Sequence, residues 1–461
     1  MPTRPSGSSR AYRAPAALLA TAMVLGLPLP AWPQQEDARL TPQQMREDLT
    51  VLRDTWLPQD TSFDEAEKRD FNRVIDAAIA NADGMSAADF ALAVQKAAAT
   101  SGNGHTTAAI GPALRVLPVR AWWFADGLYV VSADEAHKDL LGARIEKFGA
   151  LSSEEALVRV TPFISGTGMR VRYLSAAFLT SPDVLKAIGV GPDDTVTLTV
   201  SKDGRTGETL LEPASRRAPG DEGQPTKRVY SILVPDGQDS PNRWPHILDT
   251  VVTRSPAYAA RTDAEQRWLG SDRHILYIRS NSINSLGETP LQLKLGDIVA
   301  KSVVKGRPRA VIVDLRFNNG GDFFNTILFS QALPKLMPRG GRIIVLVGRA
   351  TFSAALVTAA MLKGASEDNV VLIGEPMGDD GRFWAEGGDV KLPNSGIEVH
   401  YSDAFEDYED GCRDPGECYW PTVAFGPRGI SLKPDFLIDS TFADYAAGRD
   451  PVLEKALDLA R

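Results

Sequence analysis

The chain has 461 residues, 43% hydrophobic and 24% charged, enough apolar material for two or three cores, and it reads as an ordinary globular protein. Its net charge of −9 excludes a general nucleic-acid binder, because neutralising a phosphate backbone needs a surplus of Lys and Arg.

The first segment, 1–34, has the layout of a secretory signal peptide. Arg4, Arg10 and Arg13 precede the uncharged stretch APAALLATAMVLGLPLPAWPQQ, and the first acidic residue is Glu36. The apolar middle is shorter than the roughly 20 residues that a membrane span needs. Export with cleavage is the expectation, to a periplasm or out of the cell, and an uncleaved anchor is the alternative. No later segment is apolar enough to span a bilayer, so the mature protein is expected to have no stable membrane span.

Residues 36–105 read as helical. Thr41 caps a helix with Pro42 at its first position, and Met45, Leu49, Leu52 and Trp56 recur at helical spacing. EAEKRDFNRVIDAAIANA predicts a second helix. A third starts at Ser86, with Asp89 completing a capping box. From 106 to 212 the runs shorten: LRVLPVRAWWF, GLYVVSA, ARIEKFG and TVTLTVS predict a β-rich module. Pro, Gly and charge then accumulate over 213–271, a linker with one expected short strand, VYSILV.

In 272–461 the pattern changes again. HILYIRS, AVIVDL, IIVLV and VVLIGE are nearly continuous apolar runs separated by helical stretches, which predicts an α/β domain with a largely parallel sheet. Ligands bind such sheets at the carboxyl ends of strands. Two strand ends matter here: AVIVDL runs into RFNNGGD, and IIVLV into GRATFSAALVTAAMLK.

Gly320 and Gly321 leave backbone N–H groups unobstructed, while Ser353 and Ala354 open a helix whose N-terminus favours negative charge. A nucleophile and an oxyanion hole are what acyl transfer requires. The plainer alternatives are a Ser that only caps its helix and a Gly pair that only turns. Of the five histidines, His105 in SGNGHTTA lies at a flexible junction and is the candidate base; His137, His246, His274 and His400 read as surface, packing or strand residues. Cys412 and Cys418, in CRDPGEC, are expected to form a small-loop disulfide rather than a metal site. No metal or organic cofactor is required.

DLRFNNGGD, TFSAA, IGEP and LKPDF, with GHT after the first helices, resemble the tail-specific or C-terminal processing serine peptidases, whose relatives include the tricorn protease core and the interphotoreceptor retinoid-binding protein. The resemblance implies a crotonase-like spiral core, a β-rich PDZ-like insert, and Ser353 as nucleophile, with Gly320, Gly321 and Ala354 around the oxyanion. Many members use a Lys near the GE-x-T turn, but GEPMGDDGRF contains none, and the Arg382 guanidinium does not give up its proton. The tricorn-like branch uses a His where His105 stands. There a Ser precedes the His and a Glu precedes the PD motif; here those places hold Gly104 and Arg428, leaving Asp403, Glu406 and Glu409 as candidate acids. The substrate class implied is a peptide or unfolded protein. A relative that binds peptide or hydrophobic ligands without cleaving them is the alternative.

Overall fold

The structure, a computed structural model, describes residues 40–191, 195–214, 232–236, 243–270, 274–413 and 416–461, so the predicted signal peptide lies outside it. Residues 40–461 pack as one compact unit.

Three capped helices come first. Thr41 and Gln44 form a capping box at Pro42–Val51, Asp64 and Glu67 another at Glu65–Asn81, and Ser86 and Asp89 a third at Ala87–Ala99. Each box satisfies N–H groups that a helix start leaves orphaned, contributing about 1 kcal/mol. The helices bury one face each, through Leu49 and Leu52, Phe71 and Ile75, and Phe90 and Val94.

The next module is an antiparallel sheet, Val119–Phe124, Gly127–Ala133, Arg144–Phe148, Val196–Lys202 and Arg205–Leu211, neighbours in that order. Its last hairpin turns at Asp203-Gly204, both at positive φ (51° and 74°), the backbone an Asp-Gly turn favours. Beside its strands this module holds three helices, Ser153–Val160, Gly168–Phe178 and Pro182–Ala187. Thr167 caps the middle one, and its 3.6-residue spacing of Val171, Leu174 and Phe178 buries them in the same core. In the expected strand VYSILV, Ile232 and Leu233 lie in a short helical turn, and 229–231 fall outside the described residues.

The third part is a six-stranded sheet in the order Phe436–Leu437, Val370–Gly374, Arg342–Val347, Ala310–Asp314, Ile275–Arg279, Glu265–Leu269. All neighbours are parallel except the Glu265–Leu269 edge. Alternate side chains go to opposite faces, as the pleat requires. Leu276, Val311, Val313, Ile343 and Val345 meet the helices Leu291–Ile298, Ile327–Leu336 and Ala354–Ala365, whereas Tyr277, Ile312, Ile344 and Leu346 meet Pro451–Leu459. Burial on both faces explains the unbroken apolar runs.

One small sheet ties the segment after the first three helices to the C-terminal part. Thr107–Ala108 pairs antiparallel with Glu398–Tyr401, with Thr107 opposite His400, and Gly388–Lys391 flanks the latter. Beside it Asp60 accepts from Thr106 (2.7 Å), and Asn103 donates to Ser402 (3.0 Å). The 101–108 segment is therefore anchored to the C-terminal part some 300 residues later. Among the described residues no helix is long and apolar enough to cross a membrane.

Candidate functional site

Ser353 stands at the end of the Arg342–Val347 strand turn, immediately before the helix Ala354–Ala365, with φ 53° and ψ −132°. That conformation is costly for a residue with a Cβ, on the order of 1–3 kcal/mol, and persists only where the surroundings impose it. Here they do. Thr351 donates to Leu315 O (2.9 Å), Phe352 N donates to Asn318 O (3.2 Å), and Gly348 N donates to Thr351 Oγ1 (3.0 Å). Ser353 makes no capping hydrogen bond, which removes the reading of its hydroxyl as a plain helix cap.

The Gly320-Gly321 loop packs directly against this corner. A Cβ on Gly320 would lie 2.7 Å from Ser353 Cβ and 3.2 Å from Ala354 N, and Gly320 itself has φ 100°. Only glycine fits there. The Gly320 N–H is already committed to Asn318 Oδ1 (2.9 Å), and Asn318 is held in turn by Ser280. Gly320 thus contributes closeness rather than a donor. Ala354 N–H, at the helix start, has no intrahelical acceptor, and Gly321 N–H has none among the described backbone pairs.

His105 lies against the residue before the serine. Its ring stacks on Phe352 (centroids 4.4 Å) and on Phe383 (5.3 Å). Gly104 makes this possible, since a Cβ there would sit 2.9 Å from the Phe352 ring. Both ring nitrogens are buried without a hydrogen-bond partner, so no hydrogen bond joins His105 to Ser353 in this state. Burial, then the nearby Arg170 and His400 charges, push the imidazole down to about 3, so it is neutral at physiological pH.

The carboxylate beside His105 is none of the three expected ones. Asp379 Oδ2 is 3.7 Å from His105 Nδ1. It lies in GEPMGDDGRF, buried, with that oxygen unpartnered, and burial raises it to about 7 against the opposing pull of Arg170. Asp403 is exposed, Glu406 is buried and accepts from Tyr408 (2.5 Å), and Glu409 packs over Gly381. The turn carrying Asp379 is fixed from two sides: Gly378 N donates to Thr351 O (2.9 Å), and Thr167 Oγ1 donates to Gly378 O (3.0 Å). Arg349 ties the two segments again through Glu375 (2.6 Å).

Arg170, from the helix Gly168–Phe178, completes the surroundings. Its guanidinium sits 3.7 Å from the Phe352 ring centroid and donates to Asn319 Oδ1 (2.5 Å), one residue before Gly320. Sequence reasoning passed over Asp379 and Arg170. The former was visible in the turn searched for a lysine; the latter carries no local signal.

The other histidines are accounted for elsewhere. His137 pairs with Asp134 (2.7 Å), His246 is buried against Ile232 O (3.0 Å), and His400, on its strand, contacts Asp389 (3.0 Å) and Glu386 O (2.9 Å). His274 directly precedes the strand Ile275–Arg279. Cys412 and Cys418 are joined as a disulfide with Cα atoms 5.8 Å apart.

No protein-family model matches the sequence, and a search of curated proteins finds no match. Solved structures do match. The chain is similar to mature CPAF complexed with lactacystin (TM-score 0.54, 13% identity, 91% of this chain and 98% of that one). It is similar also to the CPAF s499a mutant (TM-score 0.57, 12% identity, 91% and 97%). A looser likeness, with TM-score 0.38 and 12% identity over 88% and 98%, is to the photosystem II D1 C-terminal processing protease. At these identities the CPAF likeness is one of fold, over nearly the whole length of both chains. The motifs around Gly320 and Ser353 add the resemblance to tail-specific and C-terminal processing serine peptidases.

Proposed function

We propose that this chain is an exported serine peptidase in which Ser353 attacks a peptide carbonyl and His105 is the general base. The observation that carries the reading is the Ser353 corner: a strained, uncapped serine at a strand-to-helix turn, against a glycine that no other residue could replace. A nucleophile elbow has this form, because the sharp turn lifts the hydroxyl clear of the backbone and leaves amides beside it.

In the proposed reaction the Ser353 hydroxyl proton passes to His105 Nε2 as the Oγ–C bond forms. Negative charge on the carbonyl oxygen is received by the Ala354 N–H at the helix start and the Gly321 N–H of the facing glycine loop. The imidazolium returns its proton to the leaving amine as the C–N bond breaks, and water hydrolyses the acyl-enzyme with the same base. A neutral resting imidazole is the form able to accept that proton. The ring must shift from its position against Phe352 to reach the hydroxyl, a tightening common between free and substrate-bound sites.

The parallel sheet and its helices support a crotonase-like core over 272–461, and the antiparallel sheet with its helices supports a PDZ-like, substrate-presenting module over 106–212. The Cys412–Cys418 disulfide fits an oxidising compartment, in keeping with a cleaved 1–34 segment. A fluorophosphonate probe is the direct test. Labelling of the wild type that is lost in Ser353→Ala and sharply slowed in His105→Ala is expected; equal labelling of all three refutes the reading, and peptide turnover separates a peptidase from a ligand-binding relative.

A further inference from the structure

We infer that Asp379 is the positioning acid of this site: it accepts the Nδ1–H of His105 and so presents Nε2 to Ser353, standing in the turn where lysine-dependent relatives carry their base. The inference rests on the serine-peptidase reading above and goes beyond it, since the sequence offered Asp403, Glu406 and Glu409 for the role. Asp379 Oδ2 and both His105 nitrogens are buried and unpartnered, and Oδ2 is 3.7 Å from Nδ1, so closing by less than an ångström would satisfy an acceptor and a donor together. Leaving such groups unpaired costs on the order of 1–3 kcal/mol each, a cost that persists at sites poised to use them.

The geometry around the pair is built for this contact. Gly378 N to Thr351 O and Thr167 to Gly378 O fix the turn against the serine corner and the Gly168–Phe178 helix. The stacked rings of Phe352 and Phe383 limit the imidazole to motion in its own plane. In that plane a bond at Nδ1 selects the tautomer with Nε2 free to accept the serine proton. The charged groups facing the pair are Arg170, which favours the ionised carboxylate, Asp380 and Glu406, which oppose it, and His400 on the His105 side. Where lysine-dependent relatives place an amine that takes the proton itself, this chain places a carboxylate beside the imidazole, 3.7 Å from Nδ1, where it orients another base.

Asp379→Asn, Asp379→Glu and the wild type, each checked for folding by circular dichroism, would be compared by fluorophosphonate labelling from pH 5 to 9. Asn is expected to slow labelling of Ser353 on the order of 10²-fold or more and to abolish the rise in rate as the carboxylate ionises; Glu is expected to recover at least tenfold of the loss. Selective 15N-histidine NMR reads the pair without turnover: the wild-type His105 proton is expected on Nδ1 above pH 8, with a tautomer change in Asp379→Asn. Unchanged labelling and pH profile in Asp379→Asn, or an unchanged His105 tautomer, overturns the inference. Wild-type protein that is never labelled, but shows the tautomer coupling, leaves the pair standing and sinks the peptidase reading instead.

Discussion

Replacing Asp379 by Asn should make the protein more stable at pH 8 relative to the wild type than it is at pH 4. Burial lifts the Asp379 carboxyl from its ordinary 3.8 to about 7. Below pH 4 folded and unfolded chains both hold the proton, and the group favours neither state. As the pH rises, the unfolded chain releases its proton first and the folded chain resists, so stability is lost progressively until about pH 7. Over that window the loss amounts to about 4 kcal/mol, since each tenfold change in proton affinity is worth about 1.4 kcal/mol. An Asn side chain cannot ionise and escapes it. His105 works in the opposite sense: held down to about 3, it costs stability as the pH falls below 6.5, but it does so in both proteins and largely cancels in the difference. Urea denaturation at half-unit pH steps measures that difference. The variant-minus-wild-type stability should climb between pH 4 and 7 and then level off; a flat difference would refute the claim that the carboxylate is forced to ionise in a dry site.

Three further substitutions test the neighbouring parts. Gly320→Ala places a methyl 2.9 Å from Phe352 O and in collision with Ser353 Cβ, so it should lower stability by about 2–4 kcal/mol and labelling on the order of a hundredfold, read by thermal melts and probe kinetics. Ser353→Gly should raise stability by about 1 kcal/mol in urea, because glycine accepts φ 53° without strain, although it gives back part of that in the unfolded state; a helix cap would instead give a loss. Arg170→Met removes a charge that holds both His105 and Asp379 down, so the rise of labelling rate with pH should move to higher pH, a shift read from the rate profile.

Much of the fold was legible because its signals are local. Thr41, Ser86 and the apolar runs at 274–280, 310–315, 343–347 and 370–375 each declare an element through a cap or through burial on both faces. The helix Gly168–Phe178 was missed inside a stretch dominated by strands, since three consecutive short helices with Ser and Gly between them leave no long periodic window. Ser353 and the Gly pair stood out because a strained corner needs particular residue types near it in sequence. Asp379 did not, because what makes it notable is proximity: it meets His105 only after Thr107 pairs with His400 and Gly378 binds Thr351, contacts that span 293 and 27 positions. Arg170 reaches Asn319 across 149 positions for the same reason.

The site is a concentration of unfavourable terms. A serine at positive φ, a desolvated imidazole, a carboxyl forced upward and a buried arginine with an unpartnered Nε all raise the energy of the folded state. The neighbouring architecture offsets them with a network that is fully paired. Arg316, in the same DLRFNNGG loop, binds Asp314 (2.6 Å) and Asp450 (2.7 Å), Tyr277 donates to Asp314 (2.7 Å), and Ser255 donates to Asp450 (2.6 Å). Those contacts fix the loop's root to two strands and the last helix, so its tip can hold Gly320 against Ser353 without relaxing. Had the strain been incidental, the corner would be free to fall back to an ordinary capped helix start, with the hydroxyl bonded to its own backbone. That it is instead pinned from both sides, with its hydroxyl making no helix-capping bond, is the preorganisation that the proposed nucleophile requires and a plain helix cap does not.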